Sequence, residues 1–184
     1  MVLIREFESY PLRFYEKGVS LKTAVSRRWT PKAQDPQIKA SQFMNGVLAI
    51  LDEAGNDVET PACRTGRQRA ASLPLFLGPL GTVAEGTVSN IFIVKEKRLL
   101  TPSVASGILR GVTRDVVLDL AVKRRLEVAE TFLTRHEIYS ADECFITNTS
   151  SEILPVTRVD NRQIGNGRPG PVTRTLAKDF KKLI

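Results

Sequence analysis

The fold of this 184-residue chain is decided by Glu143-Cys-Phe-Ile-Thr147 and Ile153-Leu-Pro-Val-Thr-Arg-Val159, two segments rich in apolar and β-branched residues. Residues of these types favour extended strands. The polar residues between them, Asn148-Thr-Ser-Ser-Glu152, are typical of a turn. The sequence therefore predicts two strands joined by a turn, with polar side chains just after the first strand.

Strand and helix patterns alternate on both sides of this pair. Apolar periodicity predicts a strand at residues 88–95, a helix at 112–125, a strand at 126–133, a short helix opened by the capping-box pattern Thr134-Arg-His-Glu137, and a C-terminal helix with Leu176, Phe180 and Leu183 on one face. The turn residues at 165–171 precede that last helix. Mixed strand and helix order predicts an α/β or α+β fold with a substantial sheet.

The N-terminal third divides near Pro36. Alternating apolar residues predict strands at 2–8 and 19–29, and two prolines between Trp29 and Gln37 are typical of a connector. A helix is predicted at 39–54, with Ser41 as a possible N-cap, followed by a loop at 55–79 in which only residues 73–77 resemble a strand. We therefore expect a remnant of an upstream unit at 1–36 and the main domain at 37–184.

Composition and charge exclude several classes of protein. The chain carries 27 basic and 20 acidic residues, but the basic residues are dispersed and not interleaved with aromatic ones, so we expect no nucleic acid partner. No apolar run approaches the roughly 18 residues of a membrane span, so no membrane association and a cytoplasmic location are expected. Cys63, Cys144 and His136 share no metal-like spacing, so we expect neither a metal site nor a disulfide.

Four phrases occur in fixed order along the chain. They are Ile38-Lys39 opening a helix, Val83-Ala-Glu-Gly-Thr-Val-Ser-Asn-Ile-Phe92, Gly107-Ile-Leu-Arg-Gly-Val-Thr-Arg114, and Ala141-Asp-Glu-Cys-Phe-Ile-Thr-Asn-Thr-Ser-Ser-Glu-Ile-Leu-Pro155. Together they resemble the class IV pyridoxal-phosphate-dependent aminotransferases, which include branched-chain aminotransferase, D-amino-acid aminotransferase and 4-amino-4-deoxychorismate lyase. The resemblance covers most of the chain, and it implies that most of the small N-terminal domain is absent from this sequence.

This resemblance implies a fold, a cofactor and a catalytic lysine. The fold is the large C-terminal domain of fold-type IV, a mixed sheet or pseudo-barrel flanked by helices. The cofactor is pyridoxal 5'-phosphate, whose aldehyde requires an amine partner that can also move a proton at the substrate α-carbon. The family's Schiff-base lysine falls on Lys39, which would otherwise be interpreted as a solvated lysine at a helix start.

The resemblance also assigns the residues that hold the ring. Glu85 aligns with the family's glutamate at the pyridine nitrogen, where a carboxylate favours the protonated ring. Leu109 would press against the ring face. Without the resemblance, Glu85 could be a solvated or turn-forming residue at a strand end, and Gly86 after it suits a tight turn or a close ligand approach.

Two segments are implied to bind the phosphate. Gly111, Val112 and Thr113 open a helix, whose unpaired amides and dipole suit an anion. Asn148 and Thr149 match the family's second phosphate-binding turn. In the structural alternative, Thr113 is only an N-cap and Thr149 only a turn residue.

The pattern departs from the family at Phe43, where tyrosine is usual, and residues 59–77 do not match the family's usual strand. The Gly165 to Thr173 ending favours a branched-chain aminotransferase acting on amino acids and 2-oxo acids, whereas Asn148-Thr149-Ser150 leaves the lyase and the D-amino-acid enzyme open. A non-catalytic remnant is an alternative of another class. Intact relatives form homodimers, so the resemblance implies a homodimer here.

Overall fold

The computed structural model describes residues 10–28, 35–38, 44–54 and 72–184. Its helices are α1 (Leu12–Lys17), α2 (Met44–Ala54), α3 (Val112–Lys123), α4 (Arg135–Tyr139) and α5 (Pro171–Phe180), with a 3₁₀ turn at Val104–Ser106. Its strands are β1 (Val19–Thr23), β2 (Ser72–Leu77), β3 (Val83–Gly86), β4 (Asn90–Lys95), β5 (Arg98–Pro102), β6 (Glu127–Thr131), β7 (Glu143–Asn148), β8 (Glu152–Val159) and β9 (Arg162–Gln163).

The nine strands of the described residues form one mixed sheet. Its order is β3-β2-β1-β8-β7-β4-β5-β6, with β9 paired to β8. β1 runs parallel to β2 and β8, and β5 runs parallel to β6, while the other pairs are antiparallel. The two ends of the sheet meet, because the N–H of Val83 in β3 donates to the carbonyl of Leu133 beyond β6 at 2.7 Å. The sheet is therefore curled toward a barrel, as the predicted fold class requires.

Alternation along β4 separates two apolar cores. Ile91 and Ile93 belong to the core inside the curled sheet, whereas Phe92 and Val94 belong to the core beneath α3 and α5. Phe92 stacks on Phe145 of β7 with ring centroids 4.9 Å apart. Side chains of a strand point alternately to its two faces, so one strand serves both layers.

Helix α2 packs at the other end of the sheet, beside β2 and β3. Ala49 of α2 is fully buried in a small cluster with Phe76 and Ala84. Small residues at this contact let the helix backbone approach the strands closely. The start of α2, at Asn45 and Gly46, lines the same cavity as Glu85.

Most predicted elements are confirmed. The strand pair at 143–159, the helices at 112–125 and 134–139, and the Thr134–Glu137 capping box are all present. Leu176 and Phe180 are buried as predicted, but Leu183 is 58% exposed because α5 ends at Phe180. Residues 2–8, Ser41, Phe43 and the predicted loop at 55–71 lie outside the described residues, while residues 73–77 form most of β2.

The place of β1 bears on the expected division of the chain. β1 lies between β2 and β8 in the common sheet, so its pairing argues against assigning residues 19–23 to a separate upstream unit. The strand prediction itself is confirmed over Val19–Thr23. The division into residues 1–36 and 37–184 remains a prediction.

Candidate functional site

A cavity of about 410 Å³ opens where α2, the β3–β4 turn, the segment before α3 and the turn after β7 converge. The predicted site residues that line it are Glu85, Leu109, Gly111, Val112, Thr113, Asn148 and Thr149. Lys39 lies outside the described residues, although its neighbour Ile38 lines the same cavity. The structure thus brings together every predicted site residue that it describes.

Glu85 is the buried acid of this cavity. One carboxylate oxygen, Oε1, lies 2.5 Å from Nη2 of Arg28. The other, Oε2, accepts from the N–H of Leu109 at 3.0 Å and from Nδ2 of Asn90 at 3.3 Å. The following residue, Gly86, lies close to Ser89, since an added Cβ would overlap the Ser89 hydroxyl and displace it.

Burial sets the acidity of Glu85. Desolvation disfavours the charged form and raises the pKa of Glu85 to about 7, although the Arg28 charge and the Leu109 N–H both lower it. A carboxyl group with this pKa gains or loses a proton near neutral pH. Such perturbed acids are concentrated at functional sites.

Helix α3 presents its N-terminus to the cavity. Gly111 occupies the N-cap position, and no side chain caps the first turn. Because Gly111 is the N-cap, Thr113 is a buried residue of the first turn and not the N-cap residue of the structural alternative. An added Cβ at Gly111 would collide with the Asn90 side chain, so glycine is needed for this approach. The uncapped first-turn amides and the helix dipole favour an anion here.

The turn after β7 forms the opposite wall. Oδ1 of Asn148 accepts from the backbone N–H of Ser151 at 2.6 Å and from its hydroxyl at 3.0 Å, which closes the turn. The Tyr15 hydroxyl of α1 donates to the Ser151 carbonyl at 3.2 Å. Because the Asn148 oxygen serves the turn, its Nδ2 group is the part left to donate to a ligand, next to the exposed Thr149.

Two cavity-lining residues carry buried polar atoms without a hydrogen-bond partner among the described residues, Oδ1 of Asn45 and Oγ1 of Thr147. Most buried polar atoms in proteins have a partner. The acid and the helix N-terminus, which do face the cavity, fit a phosphorylated pyridine ring.

Sequence reasoning missed Arg28 and Asn45. The dispersed basic residues of the sequence did not single out Arg28, yet its side chain is only 21% exposed and contacts Glu85. Asn45 is buried near the start of α2, and no pattern in the sequence singled it out. Nothing in the spacing of either residue indicates the cavity, because both reach it through packing between distant segments.

Other kinds of site do not appear in the described part of the chain. No group of three or more His, Cys, Asp or Glu side chains there could hold a metal ion. None of its helices is long and apolar enough to cross a membrane. Cys144 is a free, buried thiol.

Comparisons with known proteins point to one family. The model of the class IV amino-transferases matches residues 1–159. A branched-chain-amino-acid aminotransferase of Pseudomonas aeruginosa is 44% identical over 92% of this chain and 51% of its own length. A D-alanine aminotransferase of Bacillus licheniformis is 40% identical over 95% of this chain and 55% of its own length.

Solved structures agree with the sequence relatives. A branched-chain amino acid aminotransferase of Escherichia coli superposes with a TM-score of 0.83 and 32% identity, over 96% of this chain and 55% of that one. The pyridoxal-phosphate form of the Thermobaculum terrenum enzyme gives a TM-score of 0.79 and 35% identity, over 90% of this chain and 50% of that one. The chain thus spans about half the length of these relatives.

Proposed function

The chain belongs to the class IV aminotransferase family, and on that premise we propose that it is the cofactor-binding part of a pyridoxal-phosphate-dependent aminotransferase. The observation that carries the proposal is the convergence of buried Glu85, the N-terminus of α3 and the turn after β7 on one cavity. The first is an acid that could pair with a ring nitrogen, and the other two are segments whose N–H and side-chain donors could bind a phosphate. When bound, pyridoxal phosphate supplies an electron sink that stabilises negative charge at the substrate α-carbon.

Each wall of the cavity has a proposed task. The Glu85 carboxylate accepts a hydrogen bond from the protonated ring nitrogen, and Leu109 packs against the ring. The amides of Val112 and Thr113, at the N-cap Gly111, hold the phosphate, because unpaired helix N–H groups and the helix dipole attract anions.

The turn after β7 and the lysine complete this assignment. Nδ2 of Asn148 and the Thr149 hydroxyl would donate to the phosphate. Nζ of Lys39 would supply the amine that holds the cofactor and would move the proton at the substrate α-carbon.

The proposed reaction moves an amino group from an amino acid to a 2-oxo acid. We favour branched-chain amino acids, since relatives with that name are 38–44% identical over most of this chain. The D-alanine aminotransferase at 40% identity keeps a D-amino-acid substrate as the second candidate. Supplying L-leucine or D-alanine with a 2-oxo acid and measuring the amino product separates the two. The lyase alternative predicts pyruvate release from aminodeoxychorismate without any 2-oxo acid.

Assembly and location are proposals of the same kind. We propose a homodimer, as the resemblance implies, to be tested by light scattering of the purified protein. A cytoplasmic location is supported by the free thiol of Cys144, since reduced cysteines are usual there, and is tested by cell fractionation.

The cofactor assignment is tested by visible absorption. Wild-type protein mixed with pyridoxal phosphate should show the absorption band of bound cofactor, and borohydride should fix the cofactor at Lys39. Lys39→Ala should lose this fixation, whereas the control Lys123→Ala, at an exposed lysine of α3, should retain it. Absence of binding in the wild type would instead favour the alternative of a non-catalytic remnant.

A further inference from the structure

Arg28 is held in place from two directions. Its backbone N–H donates to the Leu77 carbonyl at 2.9 Å, which fixes the chain just beyond β1 against the end of β2. Its guanidinium lies 5.9 Å from the ring centroid of Phe76, within the range of a cation–π contact. The guanidinium is therefore directed to Glu85, and the side chain is only 21% exposed to solvent.

Three protein groups surround the Glu85 carboxylate, and all three donate. Arg28 donates to Oε1, and the Leu109 N–H and Nδ2 of Asn90 donate to Oε2. The orientation of the Asn90 amide is fixed, because the same Nδ2 also donates to the Leu109 carbonyl at 2.8 Å. A protonated Glu85 would add a fourth donor with no acceptor among these groups, so this arrangement suits the carboxylate.

The carboxylate retains capacity for one more donor. An ionised carboxylate offers about four lone-pair positions, and the protein uses three of them. The remaining position can accept the N–H of a protonated ring. Orientation by three donors means that this position is fixed before any ligand arrives.

Arg28 supplies the positive charge on the described cavity walls. Among the described cavity-lining residues, Arg28 is the one lysine, arginine or histidine; the titratable groups beside it are Glu85, Asp35 and Tyr10. Asp35 is exposed, and β2, which pairs with β3, contains no titratable side chain. The positive charge that faces Glu85 therefore comes from Arg28.

We propose that Arg28 is a positioning residue, whose guanidinium keeps Glu85 as an oriented carboxylate able to hold a protonated ring nitrogen. This inference rests on the proposed function for the identity of the ring. Arg28 acts through Glu85. Its removal should therefore weaken the preference for a ring nitrogen and leave the phosphate contacts unchanged.

The preference for a ring nitrogen can be measured without catalysis. Two probes are compared: pyridoxine 5'-phosphate, and the same molecule with a C–H in place of the ring nitrogen. The wild type should bind the first about tenfold to hundredfold more tightly, as expected for a hydrogen bond between charged groups. This ratio should fall toward one in Arg28→Met and Arg28→Gln and be largely retained in Arg28→Lys. Wild-type ratios in Arg28→Met and Arg28→Gln would overturn the proposal.

A second measurement uses protein without ligand. Removing the Arg28 charge should let burial raise the pKa of Glu85 beyond its present value of about 7. The free energy of unfolding should then keep falling above that pH in Arg28→Met and Arg28→Gln, but level off in the wild type. The neighbouring exposed Arg27 supplies the control, and Arg27→Met should follow the wild-type profile.

The two measurements separate the possible failures. If the wild type binds neither probe, the proposed function fails. If the dependence of unfolding free energy on pH is the same in Arg28→Met, Arg28→Gln and Arg27→Met, Arg28 does not stabilise the Glu85 carboxylate. The proposal is then refuted whatever the two probes show. Two variants without the charge are used so that loss of folding in one still leaves a result.

Discussion

The two sides of the curled sheet are built differently. Beneath α3 and α5, Phe92, Phe145 and Leu176 are fully buried in a continuous apolar layer. Beside α2, the sheet instead borders a cavity in which buried Asn45 and Thr147 carry unpaired polar atoms. The first side is a continuous apolar core, and the second combines a cavity with buried polar atoms that have no partner among the described residues.

The two helices show the same contrast. Apolar periodicity predicted both α2 and α5, but α5 buries its large apolar residues, whereas α2 buries Asn45 and Ala49 and leaves Met44, Leu48 and Leu51 exposed. Periodicity reports that a segment is helical and that its faces differ. It does not report which face meets the sheet.

Leu176→Ala should have the largest effect on stability. This side chain is fully buried between α5 and the sheet, so its truncation should lower the free energy of unfolding by about 2–5 kcal/mol. Urea unfolding measures the loss. The control Val122→Ala, at a 63% exposed position of α3, should change stability little. An equally small loss in Leu176→Ala would show that the apolar layer is not the stabilising side.

Glu85→Gln should remove a pH dependence of the free energy of unfolding that arises on the cavity side of the sheet. Because the folded-state pKa of Glu85 is raised from 4.5 to about 7, its contribution to stability is fully present below pH 4.5 and is lost as pH rises to about 7. The loss amounts to roughly 3 kcal/mol at most. The free energy of unfolding, measured between pH 4.5 and 7, should no longer fall with rising pH in Glu85→Gln. In the control Glu127→Gln, at a side chain that is 65% exposed, it should fall as in the wild type. An unchanged profile in Glu85→Gln would contradict the assignment.

Thr147→Val and Thr101→Val are a matched pair of variants with smaller expected effects on the free energy of unfolding. Both hydroxyls are buried, but that of Thr101 donates to the Ile91 carbonyl at 2.8 Å, while that of Thr147 has no partner in the described structure. Thr101→Val should cost about 1 kcal/mol, whereas Thr147→Val should be neutral or stabilising. Equal unfolding costs in the two variants would mean that the Thr147 hydroxyl is already satisfied without ligand.

Local signals predicted much of this molecule. The capping box at Thr134 and the strand pair at 143–159 depend on neighbouring residues, which a sequence displays directly. Gly111 and Asn148 were predicted at the site because each stands at the end of an element within a recognisable phrase. Short-range chemistry and motif order are therefore sufficient for these parts.

Long-range packing was not predictable in the same way. Tyr15 forms a hydrogen bond with Ser151, which is 136 residues away in the sequence. Thr23 forms one with Asp160, which is 137 residues away. β5 was missed because its short apolar run has no periodicity of its own, and its pairing with β6 stabilises it. Arg28 was missed because its contact with Glu85 depends on long-range packing, which makes β1 and β2 neighbours.

Leu51→Gln should have the smallest effect and sharpens the contrast between the helices. Leu51 is 60% exposed on α2, and glutamine is a good helix former, so the free energy of unfolding should change by no more than about 0.5 kcal/mol. Urea unfolding should be repeated at two protein concentrations, because a second copy covering this face would make the wild-type stability depend on concentration. A loss approaching that of Leu176→Ala would mean that the apolar face of α2 is covered in solution. The distinction between the two sides of the sheet would then lie in their polar atoms alone.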